Sequence, residues 1–314
     1  MALAHAPGGS GTDEERGAVS PTPPEPAATK QRRHLGWLLT LPGLGWLALF
    51  FALPIALLFS TSLMVPVPGG DIGQFMPAFR VANYTEALAE YWPTFVRSFA
   101  YGLAATVLAL LIGYPLAYVV AVKCRRFPTV QALLLVLIIA PFFTSFILRT
   151  IAWRQILADE GAVVGTLQAL ALLPGDGRLT ATSFAVVAGL TYNFVPFMTL
   201  PIYASLERLD LRYVEAGQDL YAGPWTTFRT VTWPLSLPGV VAGTLLTFIP
   251  ASGDYVNAAL LGNSRTQMIG NVIESRFFRI VDYPTAAALS FILMATILVL
   301  VFVYVRRAGT DDLV

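Results

Sequence analysis

The chain has 314 residues, 56% of them hydrophobic and 12% charged, with a mean hydropathy of +0.65 and a formal net charge of +1. A soluble domain carries roughly 25% charged residues; half that share cannot solvate a globule of this size, so the composition specifies a polytopic membrane protein. A near-zero net charge removes the bulk electrostatic case for nucleic acid, the single Cys124 rules out an internal disulfide, and no Cys/His set has metal-ligand spacing.

The first stretch, "APGGSGTDEERGAVSPTPPEPAATK", is rich in Pro, Gly and Ala and has no apolar periodicity. It reads as a disordered tail over residues 1–34. No apolar core follows within the first thirty residues, so it is not read as a signal peptide. Both histidines, His5 and His34, fall in or beside this tail, which argues against a histidine-based catalytic centre.

A spanning helix needs about 20 mainly apolar residues. Six segments meet this length, giving an all-α polytopic fold with a membrane domain over 35–307 and a short tail over 308–314. They are Trp37–Thr61, Phe95–Ala121, Ala132–Ile151, Ser183–Leu206, Leu235–Ser252 and Thr285–Val305. Between the first two lies "NYTEALAEYW", read as a separate surface helix. "GAVVGTLQALALL" (Gly161–Leu173) is too short to span and fits an interfacial helix. Proline recurs inside the spans, at Pro42, Pro54, Pro115, Pro141, Pro196, Pro201 and Pro250. Kinked helices of this kind suit a transport path better than an inert anchor.

Basic residues set the orientation. Lys30, Arg32, Arg33, Lys123, Arg125, Arg126, Arg208, Arg212, Arg229, Arg306 and Arg307 cluster close to span ends on one side, if six spans alternate. The opposite side holds arginines dispersed through longer loops. Both termini are therefore expected in the cytoplasm.

The loop between spans four and five faces the same side. In "ERLDLRYVEAGQDL", Leu209, Tyr213, Ala216 and Leu220 step by four, three and four onto one helical face. "YAGPW" breaks that helix, with Gly223 able to turn and Pro224 able to start another. "WTTFRTV" is then a second short helix, stopped at Trp233–Pro234. From the residues alone, a helix–turn–helix contact surface and a plain solvated loop are both open.

At this point the sequence resembles the permease subunits of ATP-binding-cassette importers. Their cytoplasmic signature is Glu-Ala-Ala, three residues, Gly, nine residues, then Ile-x-Leu-Pro. Here Glu215, Ala216 and Gly217 are followed at that spacing by Tyr221, Val231, Trp233 and Pro234, with Asp219 between. Gly217, Tyr221 and Trp233 depart from the pattern, and Gly223 lies two residues beyond the usual turn glycine. Further stretches resemble the polyamine branch: "APFFTSFILRTIAW", "YNFVPFMTLPIYASLERLD" and "GDYVNAALLGNSRTQMIGNVIESRFF". The resemblance covers about residues 35–307. It implies a bacterial inner-membrane permease that pairs with a second permease subunit, identical or different, with a hetero-dimer as the leading expectation. It also implies two cytoplasmic ATPase subunits that bind ATP and Mg, and an extracytoplasmic solute-binding protein. It makes residues 207–234 a coupling insert, with Glu215, Ala216, Gly217, Asp219, Tyr221, Gly223 and Pro234 as its contact positions.

The chain has no Gly-x-x-x-x-Gly-Lys-Ser/Thr loop, so nucleotide chemistry is expected in another chain and no cofactor in this one. Intramembrane polar groups are the default solute contacts. Asp254, near the end of span five, with Tyr255 beside it, would suit a cationic amine; capping a helix end is the competing role. Asn193 is placed to line a cavity beside Pro196. Phe142 and Phe143 follow Pro141 as path-lining or packing residues. Arg149 is expected to snorkel to the interface. The leading expectation is a polyamine-type importer permease. The alternatives are the same machine for an amino-acid derivative, opine, phosphonate, metal or anion, or a self-sufficient secondary transporter. A secondary transporter would show acidic relays inside the spans, and spans two, three, four and six have none mid-span.

Overall fold

The computed structural model describes residues 40–174, 177–210, 212, 213, 215 and 223–308. The expected tail over 1–34 lies outside these residues. So do Ala216, Gly217, Asp219 and Tyr221 of the coupling signature, and residues 309–314 of the C-terminal tail. The chain divides into two units, Met1–Ile55 and Ala56–Val314. In the first, the described residues are the start of helix α1 (Thr40–Ser62), where the rings of Trp46 and Phe50, one turn apart, lie tilted at 4.2 Å between centroids.

Among its described residues, the regular structure of the second unit is helical apart from one hairpin, β1 (Met64–Pro66) paired antiparallel with β2 (Phe75–Pro77), a small departure from the all-α expectation. Asn83, at the start of the next helix, fastens the hairpin. Its Nδ2 donates to Ser62 O and Met64 O, both at 2.9 Å. Helix α2 then runs unbroken over Ala82–Arg126. The separate surface helix expected over Asn83–Trp92 is its first two to three turns. Pro93 lies inside it, so this proline is tolerated within a continuous helix.

Span three differs more. It is a bent pair, α3 (Pro128–Ile139, tightened to a 3-10 turn over Ala140–Phe143) and α4 (Phe146–Ile156), which turn 98° from one another. The expected unbroken helix over Ala132–Ile151 fails at Pro141, which has no N–H to continue the ladder and whose ring crowds the preceding turn. The short helix expected over Gly161–Leu173 is the shorter α5 (Ala162–Ala169). Helix α6 spans Ser183–Glu207, with Thr182 Oγ1 accepting from Ala185 N at 3.2 Å as its N-cap.

Helix α7 runs over Pro224–Ser252. The stop expected at Trp233–Pro234 does not occur. A widened π turn over Phe228–Thr232 lets Trp233 N–H reach Phe228 O, five residues back, and the helix passes Pro234. Two short helices, α8 (Val256–Leu261) and α9 (Ile269–Glu274), precede the last long helix, α10 (Tyr283–Ala308). Among the described residues, five helices are long and apolar enough to cross a membrane, or six if the bent pair is one span.

Helices in lipid associate through close packing rather than hydrophobic burial, and α2, α6 and α7 do so through small residues. On α2, Gly102, Ala105, Ala109, Gly113 and Ala117 form a buried stripe. A β-carbon on Gly102 would lie 2.6 Å from Ser252 Oγ of α7, and one on Gly113 2.8 Å from Thr199 Oγ1 of α6. Large side chains such as Leu111, Leu133, Leu137, Leu298 and Phe302 stay exposed on the outer faces, as lipid contact requires.

Candidate functional site

Three elements converge on a buried polar cluster inside this apolar frame. Thr150 comes from α4, Asn193 from α6 and Asn257 from α8, and none has exposed surface. Asn193 Nδ2 donates to Thr150 Oγ1 at 3.1 Å and to Asn257 Oδ1 at 3.0 Å. Thr150 Oγ1 in turn donates to Phe146 O at 3.0 Å. Buried polar groups need such partners because desolvation is otherwise uncompensated.

The backbone geometry is set by two small features. Helix α7 ends at Ser252–Gly253, and Asp254 Oδ1 accepts from Asn257 N at 2.8 Å, starting α8. Across from α8, Gly189 of α6 admits the close approach: a β-carbon there would sit 2.3 Å from Leu261 Cδ1 and 2.8 Å from Asn257 Oδ1. Asp254 is itself buried, and that burial pushes its carboxyl up to about 6, against the lowering effect of the hydrogen bonds from Asn257 and Ala258.

Several polar atoms in and beside the cluster stay unmatched. They are Asn193 Oδ1, Asn257 Nδ2, Trp153 Nε1, and Nε and Nη1 of Arg149. Arg149 is only 9% exposed, which corrects the expectation that it snorkels. The 98° bend carries α4 against α8 and α6, so the side chain is enclosed by protein.

The residues singled out from the sequence separate here. Asn193 is the centre of the cluster rather than a cavity wall, because Thr150 and Asn257 enclose it. Asp254 takes the capping geometry. Tyr255 is half exposed, and its carbonyl accepts from Asn271 Nδ2 at 2.8 Å. Phe142 packs edge-on against Phe197 at 4.9 Å, while Phe143 is 89% exposed at the break. Thr150 and Asn257 were not singled out. The rule that flagged Asn193, a polar group in an apolar run, could have found Thr150; Asn257 lies in a loop-like sequence and carried no such signal.

A second polar feature adjoins the other face of α8. It is a cavity of about 450 Å³ lined by Tyr91, Asn263, Gln267, Asn271, Glu274 and Arg276 among others. Arg276 is anchored there by Glu90 at 2.9 Å and Asp282 at 3.1 Å.

At the opposite end of α7, aromatic rings tie the helix start to α2. Tyr114 lies 5.2 Å from Trp233 and 5.7 Å from Phe228, and Trp225 stacks on Phe228 at 5.5 Å. Tyr114 Oη and Ser236 Oγ are 2.8 Å apart. Arg125 Nη1 donates to Leu209 O at 3.0 Å, joining the end of α2 to the end of α6. Glu215 is helical and exposed, Gly223 is the N-cap residue of α7, and Pro234 lies within α7 just after its widened turn.

The family model described as "Binding-protein-dependent transport system inner membrane component" matches residues 113–308. The chain is 35% identical to the spermidine/putrescine transport system permease protein PotB of Escherichia coli K12, over 84% of this chain and 94% of that one. It is 34% identical to the protein of the same name from Haemophilus influenzae, over 83% and 90%. It is 30% identical to the inner membrane ABC transporter permease protein YdcU of Escherichia coli K12, over 88% and 90%. A chain from a bacterial ABC transporter that imports the acidic polysaccharide alginate superposes with a TM-score of 0.65 at 15% identity, over 90% of this chain and 97% of that one. This last likeness concerns the fold alone.

Proposed function

The chain belongs to the family of binding-protein-dependent transport system inner membrane components, and from that premise we propose that it forms one half of the translocation path of an ABC importer for a polyamine such as spermidine or putrescine. It is a transport subunit, not an enzyme. The observation that carries the solute assignment is the 35% identity to a spermidine/putrescine permease over 84% of the chain.

In this reading α3 and α4 count as one span, giving six, with both termini in the cytoplasm and the chain in a bacterial inner membrane. Residues 207–234 are the coupling insert between spans four and five. Glu215, Ala216, Gly217, Asp219, Tyr221, Gly223 and Pro234 meet a cytoplasmic ATPase subunit, which binds ATP and Mg. A second permease subunit completes the path, and an extracytoplasmic binding protein delivers solute. Movement of the insert enters α7 through Trp225, which stacks on Phe228, and through Phe228 and Trp233, whose rings bear on Tyr114 of α2. ATP-driven closure shifts the inward- and outward-open states by binding them unequally.

On the solute side, Asp254, Tyr255, Phe142 and Phe143 stand toward the half-path, with Asn193 behind them as the fixed point between α4, α6 and α8. Exposed aromatic side chains such as Phe143 are what a half-path presents before its partner is in place.

The test is reconstitution. The permease pair, the ATPase and the binding protein in proteoliposomes should take up labelled spermidine only with ATP, with competition by putrescine. ATP-dependent uptake of a different solute, with no polyamine transport, would reject the solute assignment. A stable lone chain that transports without an ATPase would reject the importer reading itself.

A further inference from the structure

Helix α4 begins after the break in span three with a positive end that no side chain among the described residues caps. Ser145 is its N-cap residue. Arg149 N bonds Ser145 O, which leaves the amides of Phe146, Ile147 and Leu148 without an intrahelical acceptor, at the end where the helix dipole is positive. Arg149 adds a full charge there. Side chains lean toward the helix N-terminus, and its guanidinium carbon lies 5.6 Å from the ring centroid of Phe146, the first residue of the helix.

Arg149 as a whole is 9% exposed, and its Nε and Nη1 are buried with no hydrogen-bond partner. Among the described residues, no carboxylate lies within ion-pair distance of it. A buried, unpaired cation is strongly unfavourable. A helix N-terminus and an arginine aimed at the same place constitute an anion site.

We propose that Arg149 is one half of an ion pair between subunits, its carboxylate supplied by an Asp or Glu of the second permease subunit. This rests on the reading of the chain as half of a permease pair for a cationic solute. A polyamine has the same sign as Arg149 and cannot occupy the site. Only 9% of the arginine surface is accessible to a group from outside this chain.

Two measurements on Arg149→Met and Arg149→Lys test this. One is the thermal midpoint of the full-length chain alone in detergent. The other is the amount of second permease retained when the tagged chain is purified from the co-expressed transporter. Removing an unpaired buried charge should leave the lone-chain midpoint of R149M equal or higher. Its retention of the partner should fall about tenfold or more, and R149K should keep more of the partner than R149M does.

Unchanged retention in R149M overturns the proposal. So does a fall in its lone-chain midpoint that parallels the lost retention, because the charge would then act within the chain. Dependence of the wild type on added anionic lipid, lost in R149M while pairing persists, assigns the site to lipid. R149M that pairs normally but loses uptake of a carboxylate-bearing solute assigns it to solute. A wild-type chain that retains no second permease defeats the proposed function, a result distinguishable from each of these.

Discussion

Asn193 on α6 and Asn257 on α8 meet amide to amide, Asn193 Nδ2 donating to Asn257 Oδ1 at 3.0 Å, with neither side chain exposed. Through Thr150 the same pair reaches α4. The second half of the bent span is thus held to α6 and α8 by hydrogen bonds as well as by packing. Directional bonds specify one arrangement where apolar packing alone tolerates sliding.

Asn193→Leu should therefore be destabilising despite the apolar surroundings. It leaves Asn257 Oδ1 without its strongest donor, and stranding a buried polar partner costs about 1–3 kcal/mol. The thermal midpoint of the assembled transporter should fall accordingly. The double variant with Asn257→Leu should recover part of the loss, because both polar groups are then gone. A double variant whose loss is the sum of the two single losses would show that the amides do not act as a pair.

Asp254 gives the site a pH dependence. Its carboxyl titrates at about 6 rather than the ordinary 3.8 because burial disfavours the charged form. The folded state thus holds the proton more tightly than the unfolded one. The stabilisation is complete below 3.8 and is lost as pH rises through about 6, on the order of 3 kcal/mol in all. Asp254→Asn keeps a side-chain acceptor for Asn257 N and removes the titration. The unfolding midpoint of the wild type should decline from about pH 4 to about pH 7 relative to that of D254N. If Asp254 also meets an amine solute, D254N should raise the KM for uptake with the ATPase still assembled.

Gly189 tests how closely α6 must approach α8. A β-carbon there would stand 2.3 Å from Leu261 Cδ1 and 2.8 Å from Asn257 Oδ1. Gly189→Ala should cost about 1–3 kcal/mol by overpacking, read as a lower melting midpoint, although alanine is the better helix former. A midpoint equal to the wild type would mean that α8 yields without cost.

How much of this was legible in the sequence depends on what each signal rests on. The long helices α6 and α10 were readable because apolar length alone marks them. The break in span three was only half readable. Pro141 announced a disturbance, but whether a proline kinks, breaks or is tolerated depends on neighbours, and Pro93 lies inside α2 without ending it. The same holds at Trp233–Pro234, where a widened turn absorbs the missing N–H. Burial of Arg149 was not readable, since it arises from the 98° turn that lays α4 against α6 and α8. Asn193 was flagged by type, yet its role as a tie required knowing that Thr150 and Asn257, 43 and 64 residues away, meet it.

The rings around Phe228 offer a separate test of transmission. Phe228 touches Tyr114, Tyr118, Trp225 and Trp233. Phe228→Ala should lower the stability of the assembled complex by about 1–3 kcal/mol, less than for a fully enclosed ring. If the insert couples to an ATPase subunit, it should also reduce solute-stimulated ATP hydrolysis more than basal hydrolysis, since the insert would still dock but drive α2 less directly. Equal reductions in both would assign Phe228 to packing alone.

Glu215 isolates docking from folding. It is exposed and helical, so Glu215→Arg should change the stability of the chain on its own by no more than about 0.5 kcal/mol. If the insert docks on an ATPase subunit, reversing the charge at a contact position should reduce ATPase recovery with the tagged permease and abolish solute-stimulated hydrolysis, while membrane insertion persists. Glu215→Gln, which removes the charge but keeps the shape, should fall between. The ordering wild type, Gln, Arg is what a charge-complementary contact requires, because reversal adds repulsion to the attraction that neutralisation merely removes. If Gln and Arg both support normal stimulated hydrolysis, Glu215 is a solvated helix residue and the contact with the ATPase lies elsewhere in the insert.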